Sequence, residues 1–385
     1  MQRQAEAHGA HHSAGACERK RARYIETERL KTTFEHGALE RLYLDHAATT
    51  PLLPVAREAM EAGFGLWANP SSPHAEGRAA RAALEQARVR IAEVLGWKGE
   101  VIFTSGASEA VSLAISHSVQ PLNAVSAVEH DAVLRQAEGA ERLAVDGQGR
   151  VIANGAKRPG LVAVQQVNSE TGIVQPLYEI GNAVRGAGGL LLADCAQGAG
   201  KIGLPDADMA VIAAHKFGGP IGVGALLVRD WALLKPSGGQ ERGYRAGTEN
   251  LPGVLGMAAA LEAGNAWMEE AVRLRAVLEQ GIVETGGEVI AAGAERLATI
   301  GSYRMPGVAS AVQLIRFDSE GIAVSAGSAC SSGSLKPSHV LKAMGLDDKA
   351  AGEVIRVSIG RETNEAEIGR FLAVWREIAR GKAAA

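Results

Sequence analysis

Cysteine is scarce. Cys17, Cys195 and Cys330 are the three in 385 residues. They lie far apart, which argues against a disulfide framework, and they have no C-x-x-C metal spacing; His11-His12 with Cys17 could bind a metal, but a mobile polar terminus is the plainer reading. Such sparse use fits a reduced compartment, so a cytoplasmic location is expected. An excess of positive charge is also missing. The formal net charge is -3, which argues against nucleic acid or an anionic membrane surface as a partner. No apolar run reaches the roughly 18 residues of a membrane span. The N-terminal stretch lacks the apolar segment of a secretory signal, and no internal repeat is visible.

What is present is an ordinary globular composition, 46% hydrophobic and 22% charged. The length suits two to three domains or one large subdivided unit. Residues 1 to about 40 are polar and charged without an apolar period, and are expected to form a disordered or loosely helical extension. From "LYLDHAATTP" onward, short apolar runs alternate with Ala-rich segments of helical period. The strand candidates are "VIFT" (Val101–Thr104), "NAVSAV", "LVAVQQV", "GLLLAD", "MAVIAA" and "GALLVR". Several are apolar on both faces, as in a parallel sheet covered by helices. "EGRAARAALEQARVRIAEVLG" reads as a helix stopped by Gly96. The alternation predicts an α/β layered domain. After about Pro252 a long helical stretch is expected to about Glu284, followed by a smaller α+β domain with an amphipathic C-terminal helix.

Ligands of open α/β sheets collect at the carboxyl ends of strands, so the residues there form one set. "VIFT" leads into Ser105, Gly106, Ala107, Ser108 and Glu109. Small residues opening a helix free backbone N–H groups and the positive helix end for an anion. An ordinary helix cap by Ser105 or Ser108 is the plainer alternative. Later strand ends lead to His130, to Asn168, to Asp194 with Gln197, and to His215 with Lys216. A histidine or asparagine in such a place is commonly structural. Asp194, directly after a buried strand, costs desolvation unless a cationic atom meets it. Lys216, at the mouth of a buried strand, has the setting of a nucleophilic amine, a solvated loop lysine being the plainer alternative. Together the set suits pyridoxal phosphate. The lysine holds the aldehyde as a Schiff base and the carboxylate keeps the pyridine nitrogen protonated. An imidazole stacks on the ring and an amide meets its hydroxyl. "GGPIGVG" (Gly218–Gly224) leads into a strand rather than a helix and reads as a flexible turn, not a nucleotide loop. Cys330 sits in "SAGSACSSG", among only Ser, Ala and Gly, on a flexible loop. Cys195 reads as a small buried filler.

The segments "LYLDHAATTP", "NPSSPH", "VIFTSGASEA", "VEHDAVL", "VNSETGIVQP", "DCAQGAGK", "AAHKFGGPIGVGALLVR", "GGQERGYRAGTEN", "SAGSACSSG" and "IRVSIGR" run in one order over about residues 41 to 378. In this the chain resembles the pyridoxal-phosphate-dependent cysteine desulfurases of the fold-type I, class V aminotransferase superfamily. The likeness is to the branch with its catalytic cysteine on a long loop. The resemblance implies a mostly parallel mixed sheet in a large three-layer domain (53–262) and a smaller α+β domain (41–52 and 263–385). It implies conversion of L-cysteine to L-alanine, with the sulfur taken by Cys330 as a persulfide. The sulfur would go to a protein acceptor in iron–sulfur cluster assembly or tRNA thiolation. By the same resemblance Lys216 is the Schiff-base lysine, Asp194 pairs with the pyridine nitrogen, and His130 stacks on the ring and can shuttle a proton. Asn168 and Gln197 meet the ring hydroxyl. Gly106, Ala107, Ser108 and His215 hold the phosphate. Thr248 reaches the phosphate of the neighbouring subunit of a homodimer. Arg356, with Asn168 nearby, grips the substrate carboxylate, and no metal is implied. Departures from the family pattern are Ala213, where a hydroxyl residue is frequent, Ser108 for threonine, and Ser169 for a second asparagine. The stretches after His130 and after Cys330 are short, so the family's scaffold-docking tail is expected to be absent. The alternatives are a selenocysteine lyase, a class V aminotransferase, or a non-catalytic sulfur-transfer partner that keeps the fold.

Overall fold

The computed structural model describes residues 41–152, 159–327 and 338–381. The chain divides into Met1–Leu42 and one compact unit, Tyr43–Ala385. The extension expected over residues 1–40, Cys17 and Cys330 lie outside the described residues.

All the apolar runs singled out in the sequence are strands: β1 (Glu100–Thr104), β2 (Leu122–Ser126), then, after an additional short strand β3 (Glu141–Leu143), β4 (Leu161–Gln165), β5 (Leu190–Asp194), β6 (Met209–Ala213) and β7 (Gly224–Val228). They form a seven-stranded sheet in the order β1-β7-β6-β5-β4-β2-β3. β7 runs antiparallel to both β1 and β6, and the remaining pairs are parallel. All five residues of β4, β6 and β7 are buried, because helices cover both faces. Side chains alternate between two cores. Val162, Val164, Leu191 and Ile212 point into one. Ala163, Leu192 and Val211 point into the other. Each fully buried Leu, Ile or Val contributes on the order of 1.5–3 kcal/mol.

Helices α1 (Pro54–Phe64) and α2 (Ala75–Leu95) precede the sheet, and α2 buries Leu84 and Ile91 in the first core. The stop at Gly96 holds, since that residue adopts φ 63°, the left-handed cap that glycine takes without strain. α3 (Ala107–His117) covers the other face with Ala110, Val111 and Ala114. α4 (Asp131–Leu134) and α5 (Leu177–Gly186) follow β2 and β4. The single long helix expected to about Glu284 is instead two, α6 (Leu251–Glu262) and α7 (Met268–Val283). Gly264 at φ 74° turns the chain between them. Beyond lies a three-stranded antiparallel sheet of β8 (Glu288–Val289), β9 (Ile300–Arg304) and β10 (Val354–Ser358), with β9 central. α8 (Ser310–Ser319) meets the C-terminal helix α9 (Glu365–Gly381) through Phe317 stacked on Phe371, centroids 4.7 Å apart. Since β7 opposes both β1 and β6, the carboxyl ends of β1, β2, β4, β5 and β6 share one edge of the sheet.

Candidate active site

At that shared edge lies a cavity of about 540 Å³. Gly106, Ala107, Ser108, His130, Asp194, Gln197, His215, Lys216 and Arg356 all line it, so most of the residues read from successive strand ends are brought together. One end of the cavity is the start of α3. Gly106 is its N-cap, with φ 148° and no side-chain capping bond. Neither Ser105 nor Ser108 takes the capping role that was the plainer reading. The first N–H groups of α3 and the positive helix end therefore face the cavity without a side-chain acceptor, the arrangement that receives an anion. A Cβ built on Gly106 meets nothing within 4 Å, so the space in front of it is open.

Opposite stand the titratable groups. Asp194 ends β5, and its Oδ1 accepts from Ala196 N at 2.9 Å. Burial raises its pKa, while the Ala196 N–H, His130 and Lys216 pull the other way. Lys216 follows β6, and its Nζ donates to the carbonyls of Ala47 and Ala48 at 2.7 and 2.8 Å. His215 Nδ1 lies 3.0 Å from Thr49 Oγ1, and burial together with the cations of Lys216 and Lys201 brings its pKa down to about 4. The ring is therefore neutral at pH 7. His130 caps α4, its Nδ1 accepting from Ala132 N at 3.1 Å, so its ring hydrogen sits on Nε2. Gln197 Nε2 donates to Ala47 O at 2.8 Å, while its buried Oε1 has no partner among the described residues.

Arg356, on β10, is 3% exposed. Its Nη1 donates to Ser169 O at 2.9 Å and its Nη2 to Asp45 Oδ1 at 2.7 Å, leaving the buried Nε without a partner among the described residues. Asn168 is placed differently. Its Oδ1 accepts from Glu170 N, Thr171 N and Thr171 Oγ1, and its Nδ2 donates to Val128 O. It lines not the large cavity but a small adjoining one of about 30 Å³, shared with His130 and Arg356. Thr248 lines a separate cavity of about 390 Å³ beside Phe64 and Trp67. Cys195 is fully buried, and burial with Asp194 nearby pushes its thiol well up, which suits a filler and not a nucleophile. Ala213 lines the cavity and presents no hydroxyl to it.

Several participants escaped the reading of strand ends. Asp45 lies within "LYLDHAATTP", but its partner is 311 residues away. Lys201 ends "DCAQGAGK". It is buried, has no ion pair among the described residues, and is drawn down to about 7 by burial and the Lys216 cation. Glu109, in the helix start after β1, lines the cavity and pairs with Arg245.

The model of the aminotransferase class-V family matches residues 42–371. The chain belongs to that family. Among curated relatives it is 38% identical to the cysteine desulfurase of Cereibacter sphaeroides, covering 87% of this chain and 95% of that one. It is 36% identical to the IscS-like cysteine desulfurase of Mycobacterium tuberculosis, over 86% of this chain and 94% of the relative. Among solved structures, a NifS-like protein superposes with a TM-score of 0.80 at 30% identity, covering 88% of this chain and 99% of its own. SspA in complex with cysteine gives a TM-score of 0.71 at 32% identity, over 83% and 98% of the two chains. The likeness supports the α/β fold with its mostly parallel mixed sheet, and class V aminotransferases are pyridoxal-phosphate-dependent enzymes.

Proposed function

We propose that this class V aminotransferase is a cysteine desulfurase that converts L-cysteine to L-alanine and takes the sulfur on Cys330. The observation that carries the reading is the convergence of Lys216, Asp194, His130 and Arg356 on one cavity. The names of the relatives, and the cysteine held by SspA, point the same way. The residues present fit pyridoxal phosphate. An uncapped helix start, the half-buried Asp194 carboxylate and a Gln197 Oε1 with no partner among the described residues line the same cavity. Ser108 and the first N–H groups of α3 would hold the phosphate, Asp194 the protonated pyridine nitrogen, and Gln197 Oε1 the ring hydroxyl. When bound, pyridoxal phosphate supplies an electron sink for the pair left at the substrate α-carbon.

The chain's own groups then divide the work. Arg356, whose guanidinium has donors beyond the two taken by Ser169 and Asp45, receives the substrate carboxylate. Lys216 Nζ leaves the Ala47 and Ala48 carbonyls and takes the α-proton. The Cys330 thiolate attacks the substrate sulfur. The bond from that sulfur to the substrate β-carbon breaks, with its electron pair staying on carbon. Protonation there, and return of a proton from Lys216 to the α-carbon, complete L-alanine, and Cys330 keeps the sulfur as a persulfide. His130, with its hydrogen on Nε2, is the group placed to move a proton beside the substrate thiol. A persulfide is the donor form for a protein acceptor, the class used in iron–sulfur assembly and tRNA thiolation. The sparse cysteines favour a cytoplasmic location. No helix among the described residues is long and apolar enough to cross a membrane.

The test is the product. L-cysteine with a thiol reductant and no keto acid should yield alanine and sulfide in equal amounts. Glutamate formation from a keto acid, in step with cysteine loss, would favour an aminotransferase instead. A much higher turnover of selenocysteine would favour a lyase.

A homodimer is part of the proposal. Phe64 is 66% exposed and Trp67 78% exposed, both beside Thr248, and Ile221 at the main cavity is 75% exposed. Large apolar side chains left exposed at the surface suit a partner subunit. Sedimentation at micromolar concentration should give a particle of twice the 40.0 kDa chain mass. A 40.0 kDa species alone would contradict it.

A further inference from the structure

The phosphate end of the cavity contains a contradiction. Glu109 is in the first turn of α3 and lines the cavity. Its Oε2 accepts from Ser105 N at 2.5 Å, which steadies the turn that leads into Gly106. A carboxylate at that place opposes a phosphate dianion, since like charges at one site disfavour each other. Arg245 answers it. The guanidinium Nε donates to Glu109 Oε1 at 2.8 Å and Nη2 to Oε2 at 3.3 Å, while Nη1 reaches Gly247 O at 3.4 Å, next to Thr248. The pair is sheltered, with side-chain exposures of 16% for Arg245 and 29% for Glu109. Burial alone raises the Glu109 pKa, but Arg245 and the Ser105 N–H hold it below the usual carboxylate value, so it stays charged. Arg245 itself is not among the residues lining the cavity.

We propose that Arg245 is a positioning residue for the phosphate cradle, neutralising Glu109 so that this carboxylate can hold the Ser105 N–H without repelling the cofactor phosphate. The inference rests on the pyridoxal phosphate reading of the cavity. It goes beyond that reading by assigning the binding effect of one side chain to the charge of another. Loss of Arg245 weakens phosphate binding through Glu109 and not through a contact Arg245 makes itself.

The experiment is a titration of cofactor-free protein with pyridoxal phosphate, followed by absorbance, and in parallel with pyridoxal, which lacks the phosphate. Arg245→Gln should weaken pyridoxal phosphate binding roughly tenfold, the size of a charge effect at a sheltered helix start. Glu109→Gln should bind as wild type or tighter, because its amide still accepts from Ser105 N–H. The double variant should return to within about threefold of wild type, and Arg245→Lys, which keeps the charge, should do the same. Pyridoxal affinity should be unchanged across the set. A double variant as weak as Arg245→Gln would overturn the inference. So would an Arg245→Lys that is equally weak, or equal losses for pyridoxal. Wild-type protein that fails to bind pyridoxal phosphate would instead overturn the cofactor reading itself.

Discussion

Lys216→Ala is expected to lower alanine formation from L-cysteine by at least about 10²–10⁴-fold, the range spanned by a positioned proton-transfer group. The variant should also release pyridoxal phosphate on gel filtration that leaves it on the wild type. Lys216 is delivered to the cavity by the turn Ala214–Lys216 that ends β6. Its Nζ rests on two main-chain carbonyls, Ala47 and Ala48. No other lysine lines the cavity among the described residues. Lys201, close enough to be influenced by the Lys216 charge, is buried away from it. No second amine is therefore placed to substitute. Retention of most activity in Lys216→Ala would remove the lysine from the reaction.

Asp194→Asn separates function from stability. Activity should fall by about 10²–10⁴-fold, because an amide cannot hold a proton on the pyridine nitrogen as a carboxylate does. The cofactor-free variant should nevertheless melt about 2 °C or more above the cofactor-free wild type. Burial raises the Asp194 pKa above its ordinary 3.8. Between these two values the folded state binds more protons than the unfolded state, so stability falls as pH rises. The penalty is absent below pH 3.8, grows through the folded pKa and is complete above it. The melting advantage of Asp194→Asn should therefore be full at neutral pH and shrink as pH approaches 3.8. Such a site is destabilising until its ligand arrives. A cofactor-free variant that melts no higher at neutral pH would contradict the argument that desolvation raises the Asp194 pKa.

The sheet was legible because β4, β6 and β7 are buried on both faces and so read as unbroken apolar runs. β3 was not, since Glu141 and Arg142 are exposed at the sheet edge and only Leu143 is buried. The division between α6 and α7 turns on Gly264, which a run rich in alanine and glutamate does not announce. At the site, Lys216, Asp194 and His130 could be found one strand end at a time, because the topology alone brings strand ends together. Arg356 came only by resemblance. Its clasp by Asp45 spans 311 residues, and the Arg245–Glu109 pair spans 136, distances over which no periodicity in the sequence carries a signal. Asn168 shows the opposite limit. The same side chain that suits a ligand also suits its own turn, and here its Oδ1 is occupied by Glu170 and Thr171.

The most direct measurement follows the sulfur. Protein carrying pyridoxal phosphate is mixed with L-cysteine under anaerobic conditions, quenched within the first turnover, and digested without reductant. The peptide containing Cys330 should carry the mass of one extra sulfur atom, in proportion to the alanine formed, while the peptide containing Cys195 should not. Alanine formed with no sulfur on Cys330 would contradict the account.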